Sequence, residues 1–114
     1  MKIIAASINL SKLKKMSKNM FGNFVKAVID IQKEIMALDA PMHADEEAEL
    51  LKKGSKQENL WGINLYPEHF EKENFIEFDS MINIRPSANN RTRSIDDPEL
   101  RVKITEIVNK LVKK

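Results

Sequence analysis

The sequence predicts an α+β domain: a largely antiparallel sheet of about five strands, covered on one face by two to three helices. Three observations lead there. Apolar and polar residues alternate with a period of two in several short stretches, while the chain's end repeats its apolar residues at helical spacing. The alternating stretches are separated by connections of hairpin length, and helical runs fall between them. The 114 residues suit one domain over 1–114, long enough to bury a core.

The first strand is expected at Ile3–Ile8, with Ile4, Ala6 and Ile8 on one face. Ser11 is the expected N-cap of a first helix, in which Leu13, Met16, Met20 and Phe21 recur at helical spacing before Gly22 stops it. Lys12, Lys14 and Lys15 crowd its first turn, where the helix dipole disfavours cations. "FVKAVIDIQKEIMALD" follows and predicts a hairpin, since Ala27, Ile29 and Ile31 alternate with Val28, Asp30 and Gln32 before a second strand over Glu34–Leu38. The turn near Gln32 and Lys33 lacks glycine, so one uninterrupted helix competes with the hairpin; the β-branched Val and Ile residues favour strands.

"PMHADEEAELLKKGS" places a histidine and four carboxylates close together, yet a helix accounts for nearly all of them. With Asp45 as N-cap, Glu46 and Glu47 lie in the first turn, where the dipole favours carboxylates. Ala44, Ala48 and Leu51 fall on one side with Leu50 beside them. Glu49 faces Lys53, and Gly54 ends the helix. Only His43 is left over, and it is expected to hydrogen-bond locally at the helix entry. A zinc site would need His43 and His69 brought together with distant carboxylates, so no metal site is assigned.

Strands are expected over Leu60–Pro67 and through much of Phe75–Pro86. Trp61, Ile63 and Leu65 share one face, opposite Gly62, Asn64 and Tyr66. Ile76, Phe78, Ser80, Ile82 and Ile84 oppose Glu77, Asp79, Met81, Asn83 and Arg85. Twelve residues is long for one strand, so a bend or bulge is expected near Asp79 and Ser80. The polar loop "SANNRTRSIDD" leads to the last helix, with Asp97 as cap, Pro98 at the first helical position, and Leu100, Ile104, Ile107, Val108 and Leu111 as its stripe. Glu99–Lys103 and Glu106–Lys110 are spaced as ion pairs on its outer side.

Composition excludes several chemistries. With no cysteine there are no disulfides, thiolate nucleophiles or cysteine-ligated zinc. A small fold without disulfides fits a reducing compartment, and the apolar run after Lys2 is shorter than the ~7–15 residues of a secretory core. No window approaches the ~18 apolar residues of a membrane span. A cytoplasmic protein with no membrane partner is therefore expected. Three glycines leave little for a backbone phosphate cradle, and the HExxH and GxSxG patterns are missing. The net charge of +2 is unevenly spread: residues 1–29 carry six lysines and no acid, 30–84 thirteen acids against five bases, and 85–114 eight bases against four acids. Such asymmetry marks either a binding face or segments that attract each other within one fold.

The candidate ligand site is the polar side of the predicted sheet: Asn64, Glu77, Asp79, Asn83 and Arg85, with Asp30 as a neighbour and Arg91 and Arg93 reaching in from the following loop. The planar fork of arginine suits phosphate or carboxylate, and paired acids beside it suit proton transfer. The plainer alternative is a solvated sheet face whose arginines pair with Asp79, Asp96 or Asp97.

"FVKAVIDIQKEIMAL", "HADEEAELLKKGSKQENLWGINLYP" and "IEFDSMINIRPSANNRTRSIDDPELRVKI" resemble a family of small prokaryotic proteins known only as a domain of unknown function. The resemblance runs from about Phe21 to Val108 and implies an intracellular, stand-alone domain; it brings no catalytic residues. Three functions compete. The first is a small non-catalytic binding or interaction domain, self-associating into a homo-oligomer, and it is favoured. The second is a binder of nucleic acid or a phosphorylated ligand through Lys12, Lys14, Lys15, Arg85, Arg91 and Arg93. The third is a phosphoester-handling enzyme built on Glu77, Asp79 and Arg85. No cofactor is indicated.

Overall fold

A computed structural model describes residues 1–114. Its main sheet has five strands, all antiparallel, in the spatial order β1 (Lys2–Ile4), β4 (Ile35–Leu38), β3 (Val25–Asp30), β5 (Leu60–Leu65), β6 (Ile76–Glu77). A separate parallel pair joins β2 (Ile8–Asn9) to β7 (Val112–Lys113). Helices α1 (Leu10–Met20), α2 (His43–Lys52) and α3 (Pro98–Leu111) complete an α+β fold.

The two faces of the sheet are filled differently. On one, Val25, Ala27 and Ile29 of β3 and Trp61, Ile63 and Leu65 of β5 meet Leu13 and Met16 of α1 and Ile104, Ile107, Val108 and Leu111 of α3. This is the main core, and α1 and α3 are its cover. On the other face a small cluster of Val28, Ala37, Leu50 and Leu60 lies under α2. Alternation along β3 and β5 sends odd and even residues to these two faces, as a pleated strand requires.

The expected strand over Ile3–Ile8 is divided. Its residues 5–7 are exposed and unpaired, so Ile4 and Ile8 reach the core from different sheets and Ala6 does not reach it. Asn9, not Ser11, caps α1: its Oδ1 accepts from the Ser11 N–H at 2.7 Å. Met20 stays exposed and Phe21 half-buried, while Ser17 takes the buried place. The expected stop at Gly22 holds, with φ +94° and its N–H on the Ser17 carbonyl.

The hairpin of β3 and β4 forms without glycine. Asp30 Oδ1 accepts from the backbone N–H groups of Gln32 and Lys33, each at 2.9 Å, and Glu34 takes the left-handed conformation at φ 56°. A short polar side chain thus does what the turn needs.

α2 begins two residues before the expected cap. Met42 is its N-cap residue and offers no side-chain bond, and Asp45 lies inside the first turn. Of the expected apolar side only Leu50 is buried: Ala44, Ala48 and Leu51 are exposed, and His43 and Glu46 join Leu50 against the sheet. The Glu49–Lys53 pair forms at 4.0 Å, and Gly54 ends the helix with φ +99°.

The long strand expected over Phe75–Pro86 forms only at Ile76–Glu77. Chain direction changes at Asp79 and Ser80, as expected, but into a 3-10 turn at Met81–Asn83, capped by the Ser80 hydroxyl. Ser80 then lies so close over β5 that a side chain at Gly62 would come within 2.6 Å of it. α3 forms as expected, capped by Asp97 on the Glu99 N–H at 2.9 Å. Neither proposed ion pair on its outer side forms; Lys110 reaches across to Glu34 at 3.0 Å instead.

Candidate functional site

A cleft of about 470 Å³ opens on the α2 side of the sheet. Its floor is Asn64 of β5 and its walls are Glu77, Asp79 and Arg93 on one side and the start of α2, Met42–Ala44, on the other. Lys26, Phe24 and Tyr66 close one end, and Ser80, Met81 and Ile82 line the rest. Strand register brings the polar residues together, because Lys26 stands opposite Asn64 and Asn64 opposite Glu77 on three adjacent strands.

The interior of the cleft is tied by hydrogen bonds. Glu77 Oε1 accepts from Asn64 Nδ2 at 2.8 Å and from the Tyr66 hydroxyl at 3.1 Å. These contacts fix the carboxylate. Desolvation, and after it the hydrogen bond to Glu77, raises the Tyr66 phenol above its ordinary value. Arg93 Nε donates to Asp79 Oδ1 at 2.7 Å, which neutralises that carboxylate within the wall. Lys26 has no carboxylate within ion-pair distance; its ammonium lies 5.0 Å from the Phe21 ring centre.

His43 is the residue whose role differs most from expectation. It bonds across the structure, Nε2 to the Ile63 carbonyl at 2.8 Å. Since a carbonyl only accepts, Nε2 carries the proton in the neutral ring and Nδ1 keeps a lone pair. Desolvation pushes the imidazole below its ordinary 6.5, against the hydrogen bond to Ile63 and the nearby Asn64 side chain. Asn64 itself is 6% exposed, and its Oδ1 has no partner.

One turn along α2, Glu46 is fully buried. Its Oε2 accepts from the Ala40 N–H at 3.1 Å and its Oε1 has no partner. Loss of hydration pushes the carboxyl up to about 9, so it is uncharged at neutral pH.

Of the residues expected in the site, Asn64, Glu77, Asp79 and Arg93 line the cleft together. Asn83 does not. It is buried beside β5, where Oδ1 accepts from the Gly62 N–H at 2.8 Å and Nδ2 donates to the Gly62 carbonyl at 2.9 Å. The side-chain amide thereby takes the ladder position that β6 vacates by ending at Glu77. Arg85 is also placed elsewhere: Nη2 donates to the Leu60 carbonyl at 2.9 Å and its guanidinium lies 4.6 Å from the Trp61 ring centre. Arg91 is exposed and outside the cleft. Asp30 is at the far end of the sheet face, holding the hairpin turn and the Ser55 hydroxyl at 2.7 Å. The three arginines therefore do not converge, and Lys12, Lys14 and Lys15 ride on α1, across the sheet from Arg93. No three His, Asp or Glu side chains come together in a metal-ligating group.

Lys26, His43, Tyr66 and the methionines at 42 and 81 are among the lining residues that sequence reasoning did not assign. Tyr66 was accessible to it, since the alternation that selects Asn64 puts Tyr66 on its face; Lys26 joins them through the β3–β5 register, a pairing of strands distant in sequence.

No curated protein and no solved structure matches the chain. A family model described as "Protein of unknown function (DUF5674)" matches residues 2–111, nearly the full length and more than the Phe21–Val108 span of the resemblance noted above. With that match, the chain belongs to the DUF5674 family.

Proposed function

We propose that the protein is a non-catalytic binding domain whose ligand occupies the cleft between the start of α2 and the β5–β6 pair. The observation that carries this reading is the assembly, in one concavity of about 470 Å³, of four residues from three separate segments, Asn64, Glu77, Asp79 and Arg93. That volume lies in the ~300–1,000 Å³ range of small-molecule sites, and the lining combines apolar side chains with hydrogen-bonded polar groups. Binding rather than turnover is favoured because the acids are already engaged. Asp79 is neutralised by Arg93, and Glu77 is held by Asn64 and Tyr66. These two carboxylates are the groups a phosphoester-handling role would use, and each already serves a hydrogen bond or ion pair within the protein.

The phosphate-binding alternative is weakened by the same geometry, since Arg93 is paired and Arg85 and Arg91 lie outside the cleft. The test is a titration of isotopically labelled protein with mixtures of small metabolites and fragments, followed by amide chemical shifts. Shifts confined to residues 24–26, 42–44, 62–66, 77–82 and 93 are expected. A library that moves none of these amides, or moves them only with nucleic acid, would overturn the reading.

A further inference from the structure

We infer that the cleft is shaped for a small zwitterion, a free α-amino acid with an apolar side chain, an inference that rests on the cleft being the ligand site. Four charged groups line it, and two of them, Asp79 and Arg93, cancel each other within the wall. One cation, Lys26, and one anion, Glu77, are left with no ionic partner. A ligand bearing only one charge would satisfy one of these and be repelled by the other. A ligand carrying both, at opposite ends of a short frame, satisfies the pair.

The surroundings of each pole agree. On the Lys26 side the cleft is bounded by the first residues of α2, where Met42 provides no side-chain cap and the His43 and Ala44 N–H groups have no acceptor. Free N–H groups at a helix start, reinforced by the dipole, are a seat for a carboxylate. Of the two acids in that first turn, Asp45 lines a different hollow with Asp39 and Ala40, and Glu46 is uncharged. On the Glu77 side the carboxylate is anchored through Oε1 alone, leaving Oε2 for an ammonium. Beneath it, the buried Asn64 Oδ1 is an acceptor without a donor. The rim is apolar: Met42 and Met81 are 56% and 64% exposed, with Ala44 and Ile82 beside them. Methionine surfaces adapt to apolar side chains of varied shape.

The test uses calorimetry on the full chain with L-leucine, leucinamide, which keeps only the positive charge, and 4-methylpentanoate, which keeps only the negative one. L-Methionine and L-phenylalanine widen the set. At least one of the amino acids is expected to bind at least tenfold more tightly than either singly charged analogue. Lys26→Met should weaken amino-acid binding at least tenfold while sparing leucinamide. Glu77→Gln should weaken it equally while sparing 4-methylpentanoate. A misfolded variant would lose every ligand alike, so this crossed pattern separates charge recognition from structural damage. Singly charged analogues that bind as well as leucine overturn the inference. So does silence from all three amino acids: if the metabolite mixtures still shift the cleft amides, only the zwitterion inference falls, and if they do not, the binding reading falls with it.

Discussion

Asn83 shows how much a single side chain supports here. Its amide accepts from the Gly62 N–H, donates to the Gly62 carbonyl and donates again to the Arg93 carbonyl at 3.1 Å, so it stands in for a missing strand residue and ties the following loop to the sheet. Asn83→Ala leaves the buried Gly62 N–H without an acceptor, and a loss of ~2–4 kcal/mol is expected. Urea unfolding measures it; a loss under ~1 kcal/mol would mean that the β6 side of β5 does not depend on this amide. Glu46 is the opposite case, a group whose burial works against stability. Its folded value lies above the unfolded one, so folding takes up a proton between about pH 4.5 and 9 and stability falls as pH rises through that window. The loss from pH 4.5 to 7 is on the order of 3 kcal/mol. Glu46→Gln keeps the shape without the titration. It should be more stable than the parent by roughly 1–3 kcal/mol at pH 7 and by more at pH 8, with the gain vanishing near pH 4.5. An offset that is the same at both ends of that range would show that Glu46 does not titrate there. Neither residue's role was legible in sequence: an asparagine before a proline-containing loop and a glutamate in a first turn both have ordinary surface readings.

At the scale of elements, α2 carries the clearest lesson. Read alone, the helix should bury Ala44, Ala48 and Leu51 with Leu50 beside them; in place, it buries Leu50 together with His43 and Glu46. The sheet-facing stripe is set by what β3 and β5 offer, a carbonyl at Ile63 for His43 and the Val28–Leu60 surface for Leu50, and these outweigh the small apolar area of two alanines. Leu50→Ala should therefore cost about 2–5 kcal/mol, and Leu51→Ala should stay within ~0.5 kcal/mol of the parent. Similar effects from the two neighbours in thermal or urea melts would contradict the observed phase of the helix. Elements with self-contained signals were read correctly. α3 has a cap, a proline at its first position and a stripe of five apolar residues. The β3–β4 hairpin has alternation strong enough to prevail over a turn without glycine. The stretch after β6 was misread because alternation persists through Ser80, Ile82 and Ile84, although Ser80 and Ile82 pack down onto Gly62 instead of extending the sheet.

Across the whole molecule, two buried titrating groups on one helix act in opposite directions. The folded value of His43 lies below its ordinary 6.5, so the unfolded chain binds the extra proton and stability falls as pH drops below about 6.5. Glu46 lowers stability as pH rises above about 4.5. From the lowered His43 value up to about 6.5 the two slopes oppose each other; above pH 6.5 only the Glu46 slope remains. Stability measured by urea titration from pH 4.5 to 8.5 should fall less steeply just below pH 6.5 than above it. In His43→Gln this difference in slope should vanish. A rise in stability from pH 7 to 8.5 would count against this pairing.

The sequence by itself determined the fold class, the order of the principal elements and the polar side of β5. Those depend on periodicities of two and 3.6 and on local caps and stops, which involve neighbours in the chain. Only the tertiary structure decided which face of α2 is buried, that Asn83 and Arg85 are fastened to β5, and that Lys26 and Glu77 line one cleft without ionic partners. Those outcomes depend on which distant donor meets which acceptor once water is excluded, and the energy of each such meeting is set by burial, which local pattern does not encode.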